Sequence, residues 1–185
     1  MSIILGADLD IWRYQPHPEV WLIVGAAVGL GFWATQVIGP KVVTDGSPIV
    51  TARQRRAFIA GVILLWIASD WPMHDISEEY LYFVHMIQHL MLTFVIPPLL
   101  LMAIPEWLAR LIVSNDGTSG AWIKRMSRPV IAGFLFNFVV AITHTTQVVN
   151  TSVEIGVFHY FVHLVVFVSA LLMCCLLYTS DAADE

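Results

Sequence analysis

The chain has 185 residues, of which 58% are hydrophobic and only 12% are charged, and its mean hydropathy is +0.75. Soluble domains contain about a quarter charged residues, so this composition excludes an ordinary soluble domain and predicts a protein of the lipid bilayer. The net charge of −5 argues against a nucleic-acid partner, because binding phosphates requires a basic surface.

Five apolar segments are candidates for membrane-spanning helices. A spanning helix needs about 20 mostly apolar residues, and a lipid-exposed backbone must satisfy its own hydrogen bonds. In chain order the segments are residues 19–39, 57–71, 80–104, 129–149 and 157–177. The second is short, and the third contains Pro97-Pro98, which should kink it. The sequence therefore predicts an all-α, polytopic transmembrane helix bundle within residues 1–177.

The basic residues predict the orientation of this bundle. The loops after the first and third segments hold Lys41, Arg53, Arg55, Arg56, Arg110, Lys124, Arg125 and Arg128. The remaining connections and the N-terminal segment hold Arg13 alone. Because loops rich in Lys and Arg stay in the cytoplasm, we expect these two loops inside and the N-terminus outside.

The last eight residues, 178–185, break this pattern. They carry three acids on the side assigned to the cytoplasm. We predict that this acidic tail is non-native and that the native sequence stops near residues 173–177, with further helices missing. A genuine short acidic tail is the alternative.

Five of the seven histidines lie inside the predicted spans. Ionisable residues at membrane depth are costly and face the interior of a bundle or a cavity. With a rise of about 1.5 Å per residue, all five lie roughly 5–14 Å below the outer surface. They are His85, His89, His144, His159 and His163. This shared depth across three helices predicts one histidine cluster.

The spacing of these histidines is typical of metal ligands. His85 and His89, like His159 and His163, are four residues apart and therefore share a helix face. Imidazole and thioether ligands suit copper, and metal binding requires the neutral imidazole. Met86 is a possible neighbouring ligand. Asp70 either orients a histidine or caps a helix end.

Other interpretations of the histidines stay open. They could join helices by hydrogen bonds, which would make the protein a structural membrane scaffold. They could instead hold haem between helices, as in a small membrane electron-transfer protein. His17 and His74 are expected to be solvated loop residues. The sequence shows no nucleophile or phosphate-binding motif, so we do not expect an enzyme.

One run of residues resembles a known family. Residues 85–105, with His85-Met-Ile-Gln-His89 followed by Pro97-Pro98, are similar to the signature of the bacterial CtaG membrane family. That family assists assembly of caa-type cytochrome c oxidase. The weaker part of the resemblance extends over Trp12, His17-Pro18, Arg55-Arg56, His144 and the His159/His163 pair.

The resemblance implies a multi-pass protein of the bacterial plasma membrane with six or seven helices, of which five are visible here. It also implies a role in oxidase maturation and copper supply. The leading hypothesis is therefore a membrane-embedded, non-enzymatic assembly factor. Its histidines would hold copper, or pass it to a cytochrome c oxidase subunit.

Overall fold

The computed structural model describes residues 12–113, 122, 125–126 and 128–181, and no strand occurs among these residues. This part of the chain forms α1 Pro18–Val42, α2 Ala52–Ser69, α3 Met73–Glu79, α4 Tyr82–Ala103, α5 Glu106–Val113, α6 Pro129–Thr143, α7 Thr146–Glu154 and α8 Gly156–Asp181. The predicted all-α helix bundle is confirmed.

Three helices are long and apolar enough to cross a membrane, namely α1, α4 and residues Gly156–Cys175 of α8. Helices α6 and α7 meet the same condition together, although they are bent by 68° with respect to each other. These elements match four of the five predicted spans. Helix α2 is not among them, because its 18 residues include three arginines. The span predicted at residues 57–71 therefore stays a prediction.

Helix α2 begins earlier than its apolar segment because a capping box starts it. The Gln54 backbone N–H donates to Thr51 Oγ1 at 3.2 Å, and the Thr51 backbone N–H donates to Gln54 Oε1 at 2.8 Å. This reciprocal pair satisfies two backbone donors that the first helical turn would otherwise leave free.

Two helices widen into π turns just before a proline. These turns are Ala34–Ile38 in α1, ahead of Pro40, and Met91–Val95 in α4, ahead of Pro97. Proline has no N–H, and its ring clashes with the carbonyl four residues earlier, so a wider turn relieves the contact. The predicted effect of Pro97-Pro98 thus takes the form of a π turn inside a continuous helix.

The packing between α2 and α4 fixes the centre of the bundle. Ala68, Leu92 and Ile96 form a buried cluster. A Cβ atom added at Gly61 of α2 would lie 2.9 Å from Leu100 Cδ2 of α4, so glycine permits the close approach of these helices. Small residues are the usual means by which membrane helices approach closely. Helix α8 packs against both α4 and α6.

The helices alternate in direction, so one end of the bundle collects the start of α1, the end of α2, the end of α6 and the starts of α4 and α8. We call this the histidine end; helix α3 lies across it. The opposite end holds the described basic residues other than Arg13, and there the Trp107 indole N–H donates to the Ile49 carbonyl at 2.8 Å. Lys124, the N-terminal residues 1–11 and tail residues 182–185 lie outside the described residues, whereas residues 178–181 continue α8.

Candidate metal centre

The two histidine pairs of α4 and α8 face each other at the histidine end. Ring centroids are 4.4 Å apart within each pair, His85–His89 and His159–His163. Between the helices, the His89 and His163 rings stack at 4.9 Å, and His85 lies 5.9 Å from His163. Four imidazoles therefore surround one region between α4 and α8.

His144 joins this group from a third element. It lies at the break between α6 and α7, and its ring centroid is 5.7 Å from that of His89. Its Nδ1 atom lies 2.8 Å from the Val140 carbonyl oxygen. If Nδ1–H donates to that carbonyl, Nε2 carries the lone pair, which is the usual arrangement of a metal-binding histidine. All five predicted histidines thus lie together.

The α4 pair has a spacing that suits a shared ion. His85 Nε2 and His89 Nε2 are 2.8 Å apart. Such a pair either shares a proton or coordinates one metal, because two nitrogens each about 2.0 Å from an ion lie roughly 2.8–3.3 Å apart.

Glu78 of α3 completes the cluster, and the sequence analysis missed it. Its Oε1 atom lies 3.0 Å from His85 Nδ1 and 3.1 Å from His159 Nε2. Donor atoms of Glu78, His159 and His163 all lie within 4.8 Å of one another. Sequence reasoning looked for carboxylates inside the spans, whereas Glu78 reaches the cluster from the preceding short helix. The available signal was its position seven residues before His85.

Glu78 supplies a fixed negative charge. Burial by itself would raise the pKa of this carboxyl, but the side chains of His159 and His85 outweigh that effect and hold the pKa well below its ordinary value. The lowered pKa favours the ionised form of Glu78 at neutral pH.

His159 shows an unsatisfied donor or acceptor. Its Nε2 atom is buried and lies 3.1 Å from Glu78 Oε1, but it forms no hydrogen bond among the described residues. Buried polar atoms without a partner are rare and costly in native proteins. A metal ion between Glu78 and His159 would satisfy this nitrogen, so the residues present fit such an ion.

A family model of known proteins matches most of this chain. The family model described as cytochrome c oxidase caa3 assembly factor (Caa3_CtaG) matches residues 29–185, which is most of the chain and includes the whole histidine cluster. The chain belongs to this family. It is therefore an oxidase assembly factor built of membrane helices, as the sequence resemblance predicted. No curated protein and no solved structure gives a significant match.

Two predicted neighbours of the assembly factor's cluster have other surroundings. Asp70 accepts hydrogen bonds from the indole N–H groups of Trp21 and Trp66, at 2.9 and 2.6 Å, and from the Trp71 backbone N–H at 2.9 Å. It therefore holds tryptophans at the end of α2 instead of orienting a histidine. Met86 is half-buried and projects about 100° around α4 from His85, so its role as a ligand stays a prediction.

The expectation that His17 and His74 are solvated is wrong, although His17 does lie in the loop before α1. The His17 side chain is 12% exposed and its Nε2–H donates to Asp75 Oδ1 at 2.7 Å, while His74 is 8% exposed. Burial lowers the pKa of His74 and so favours its neutral form. The error arises because α3 folds over the histidine end, and a seven-residue polar helix is indistinguishable from a loop by hydropathy.

Proposed function

We propose that this assembly factor binds copper in the cluster of His85, His89, His144, His159, His163 and Glu78, and supplies it to a subunit of cytochrome c oxidase. The observation that carries the proposal is the grouping of five histidines from three helical segments, with His85 and His159 also in contact with the Glu78 carboxylate. Family membership establishes the assembly role. The copper assignment rests on the chemistry of the donors.

The donor set favours a transition metal over calcium or magnesium. Imidazole suits copper and its neighbours, whereas calcium and magnesium require sites rich in oxygen ligands. The charge of the ligands bears on the charge of the metal ion. One carboxylate with neutral imidazoles balances a single positive charge, and net charge is costly at membrane depth. The cluster therefore favours copper in its monovalent form.

The alternatives have weaker support. Glu78 lies between His85 and His159, in the space that a porphyrin would need in order to use both rings. The 2.8 Å contact between His85 and His89 gives no support to a scaffold role, because it lies within one helix and cannot join two helices.

The exposure of the histidines indicates where a client could reach the ion. His144 is exposed at the α6–α7 break, whereas His159 is 9% exposed. A donor at the surface of the cluster can be replaced by a ligand of the client before the buried donors release the ion. We therefore place the contact with the oxidase subunit on the His144 side.

The proposed orientation puts the histidine end outside the bacterial plasma membrane. Its support is the concentration of lysine and arginine at the opposite end of the bundle, according to the positive-inside rule. Copper would then be bound from the outer side.

Copper binding by the purified full-length chain tests the proposal. We expect His85→Ala and His163→Ala each to lower the Cu(I) content and the support of oxidase activity in cells. The double variant should lose little more, because ligands of one ion act as a unit. Asn137→Ala is the matched control, since Asn137 lies in α6 and donates to its own helix at Gly133.

A double variant whose loss of Cu(I) equals the sum of the losses in the two single variants would contradict a shared site. A parent protein that binds no Cu(I) would overturn the copper assignment and leave the assembly role intact.

A further inference from the structure

A second group of ligand-type side chains lies beside the cluster. His17 and Glu19 come from the start of α1, and Asp75 comes from α3. His17 contacts Asp75 Oδ1 through Nε2 at 2.7 Å and Glu19 Oε1 through Nδ1 at 3.3 Å. The Tyr160 hydroxyl lies 3.2 Å from the same Nδ1. Two carboxylates thus flank one imidazole.

This group leads from the surface inward. The exposed fractions of the side chains fall from 40% for Glu19 to 12% for His17 and 6% for Asp75. The His17 ring centroid is 4.9 Å from that of His74, which is 6.0 Å from that of His159 in the cluster. Ring contacts therefore connect all seven histidines of the chain in one continuous group.

Asp75 indicates that the group receives a cation. Asp75 is buried, and its Oδ2 atom has no hydrogen-bond partner among the described residues. The other oxygen, Oδ1, is held by His17. A buried carboxylate oxygen that is left unpaired is costly, and a cation would remove that cost.

We infer that Glu19, His17 and Asp75 form a receiving site, which takes a copper ion from the aqueous side and passes it along His74 to the histidine cluster. This inference rests on the proposed function and adds the route by which the ion arrives. The receiving site has two carboxylates and one imidazole, so it binds Cu(I) more weakly than the imidazole-rich cluster. Transfer therefore runs inward.

The rate at which the full-length chain acquires Cu(I) from a chromophoric chelator tests the receiving site. Asp75→Asn should slow acquisition about tenfold, because it removes a charge that attracts the ion. His17→Gln should slow acquisition to a similar degree, because it removes a nitrogen donor from the path. The final amount of bound Cu(I) should stay at the parental level. Glu154→Gln is the control, because Glu154 is an exposed acid at the same end of the bundle.

Glu19→Gln separates an effect on copper acquisition from an effect on folding. Glu19 is the most exposed of the three side chains, and its substitution should also slow acquisition while leaving the thermal unfolding temperature unchanged. His163→Gln should do the opposite, with loss of the tightly bound ion and with rapid, weak binding retained.

One result would contradict the receiving site alone, and another would contradict both the receiving site and the copper cluster. If all three receiving-site variants acquire Cu(I) at the parental rate while His163→Gln loses the tightly bound ion, the receiving site is wrong and the cluster stands. If the parent binds no Cu(I), both proposals fail.

Discussion

At the scale of single residues, the cluster combines five imidazoles with one carboxylate. His89 contacts His85 within α4, His163 and His144 extend the group to two other helices, and Glu78 adds the carboxylate. Each ring could also serve as an ordinary hydrogen-bonding side chain. The difference between these roles lies in how well another polar side chain can replace histidine.

Glutamine substitution separates a ligand from a structural histidine. Interhelical hydrogen bonds in membranes contribute about 0.6 kcal/mol on average, so His89→Gln and His159→Gln should leave membrane abundance and thermal stability near the parental values. Support of oxidase activity should be lost, because copper prefers nitrogen or sulfur donors to an amide oxygen. Extra copper in the medium should restore part of the activity by raising the occupancy of the weakened site.

Cytochrome c oxidase activity in isolated membranes measures the loss of support, and an immunoblot measures the abundance of each variant. Active glutamine variants would show that the histidines are structural. Variants lost from the membrane would point to the same conclusion.

At the scale of helices, the site depends on α3 and α4 being held in register. Gln88, which is 1% exposed, donates to the Ala68 carbonyl of α2 at 2.7 Å and contacts Ser77 Oγ of α3 at 2.8 Å. It thereby ties three helices at the level of the cluster. The close contact of α2 and α4 around Gly61 also holds these two helices together.

A larger residue at Gly61 should push α2 and α4 apart. We expect Gly61→Val to destabilise the protein by about 1–3 kcal/mol, as overpacked cores typically do, because Leu100 lies 2.9 Å from the added Cβ. Gly25→Val is the matched control, since a Cβ at Gly25 of α1 meets nothing within 4 Å. Thermal unfolding in detergent measures the difference. Equal unfolding temperatures for the two variants would contradict close packing at Gly61.

At the scale of the whole molecule, the described basic residues other than Arg13 lie at the end of the bundle opposite the histidines. Lys41, Arg53, Arg55, Arg56, Arg110, Arg125 and Arg128 lie in or beside the connections at the end opposite the cluster. The orientation of the chain in the membrane therefore decides from which side the proposed copper ion would reach the cluster.

Cysteine labelling in intact cells tests this orientation. In a chain with Cys174 and Cys175 replaced by alanine, Asn150→Cys should react with a membrane-impermeant maleimide, whereas Ser47→Cys should not. Both positions are exposed, and they lie at opposite ends of the bundle. Reaction of both after the cells are opened is the control. The reverse pattern would place the cluster on the cytoplasmic side.

The sequence alone determined the helical class and the group of five histidines. Hydropathy fixes which segments enter lipid, and a constant rise per residue converts sequence position into depth, so residues as distant as His85 and His163 could be predicted to meet. The fold of α3 could not be obtained in this way. This helix has only seven residues, most of them polar. Their positions depend on contacts such as Gln88 with Ser77 and His17 with Asp75.

Only the tertiary structure therefore decided that Glu78 joins the cluster and that His17 and His74 are buried beside it. The same holds for Asp70, whose carboxylate bonds to Trp21 and Trp66 because the ends of α1 and α2 are adjacent. Periodicity and depth specify where a side chain lies along and around its own helix. They do not specify which neighbouring helix end packs over it, because that depends on the packing of the whole bundle.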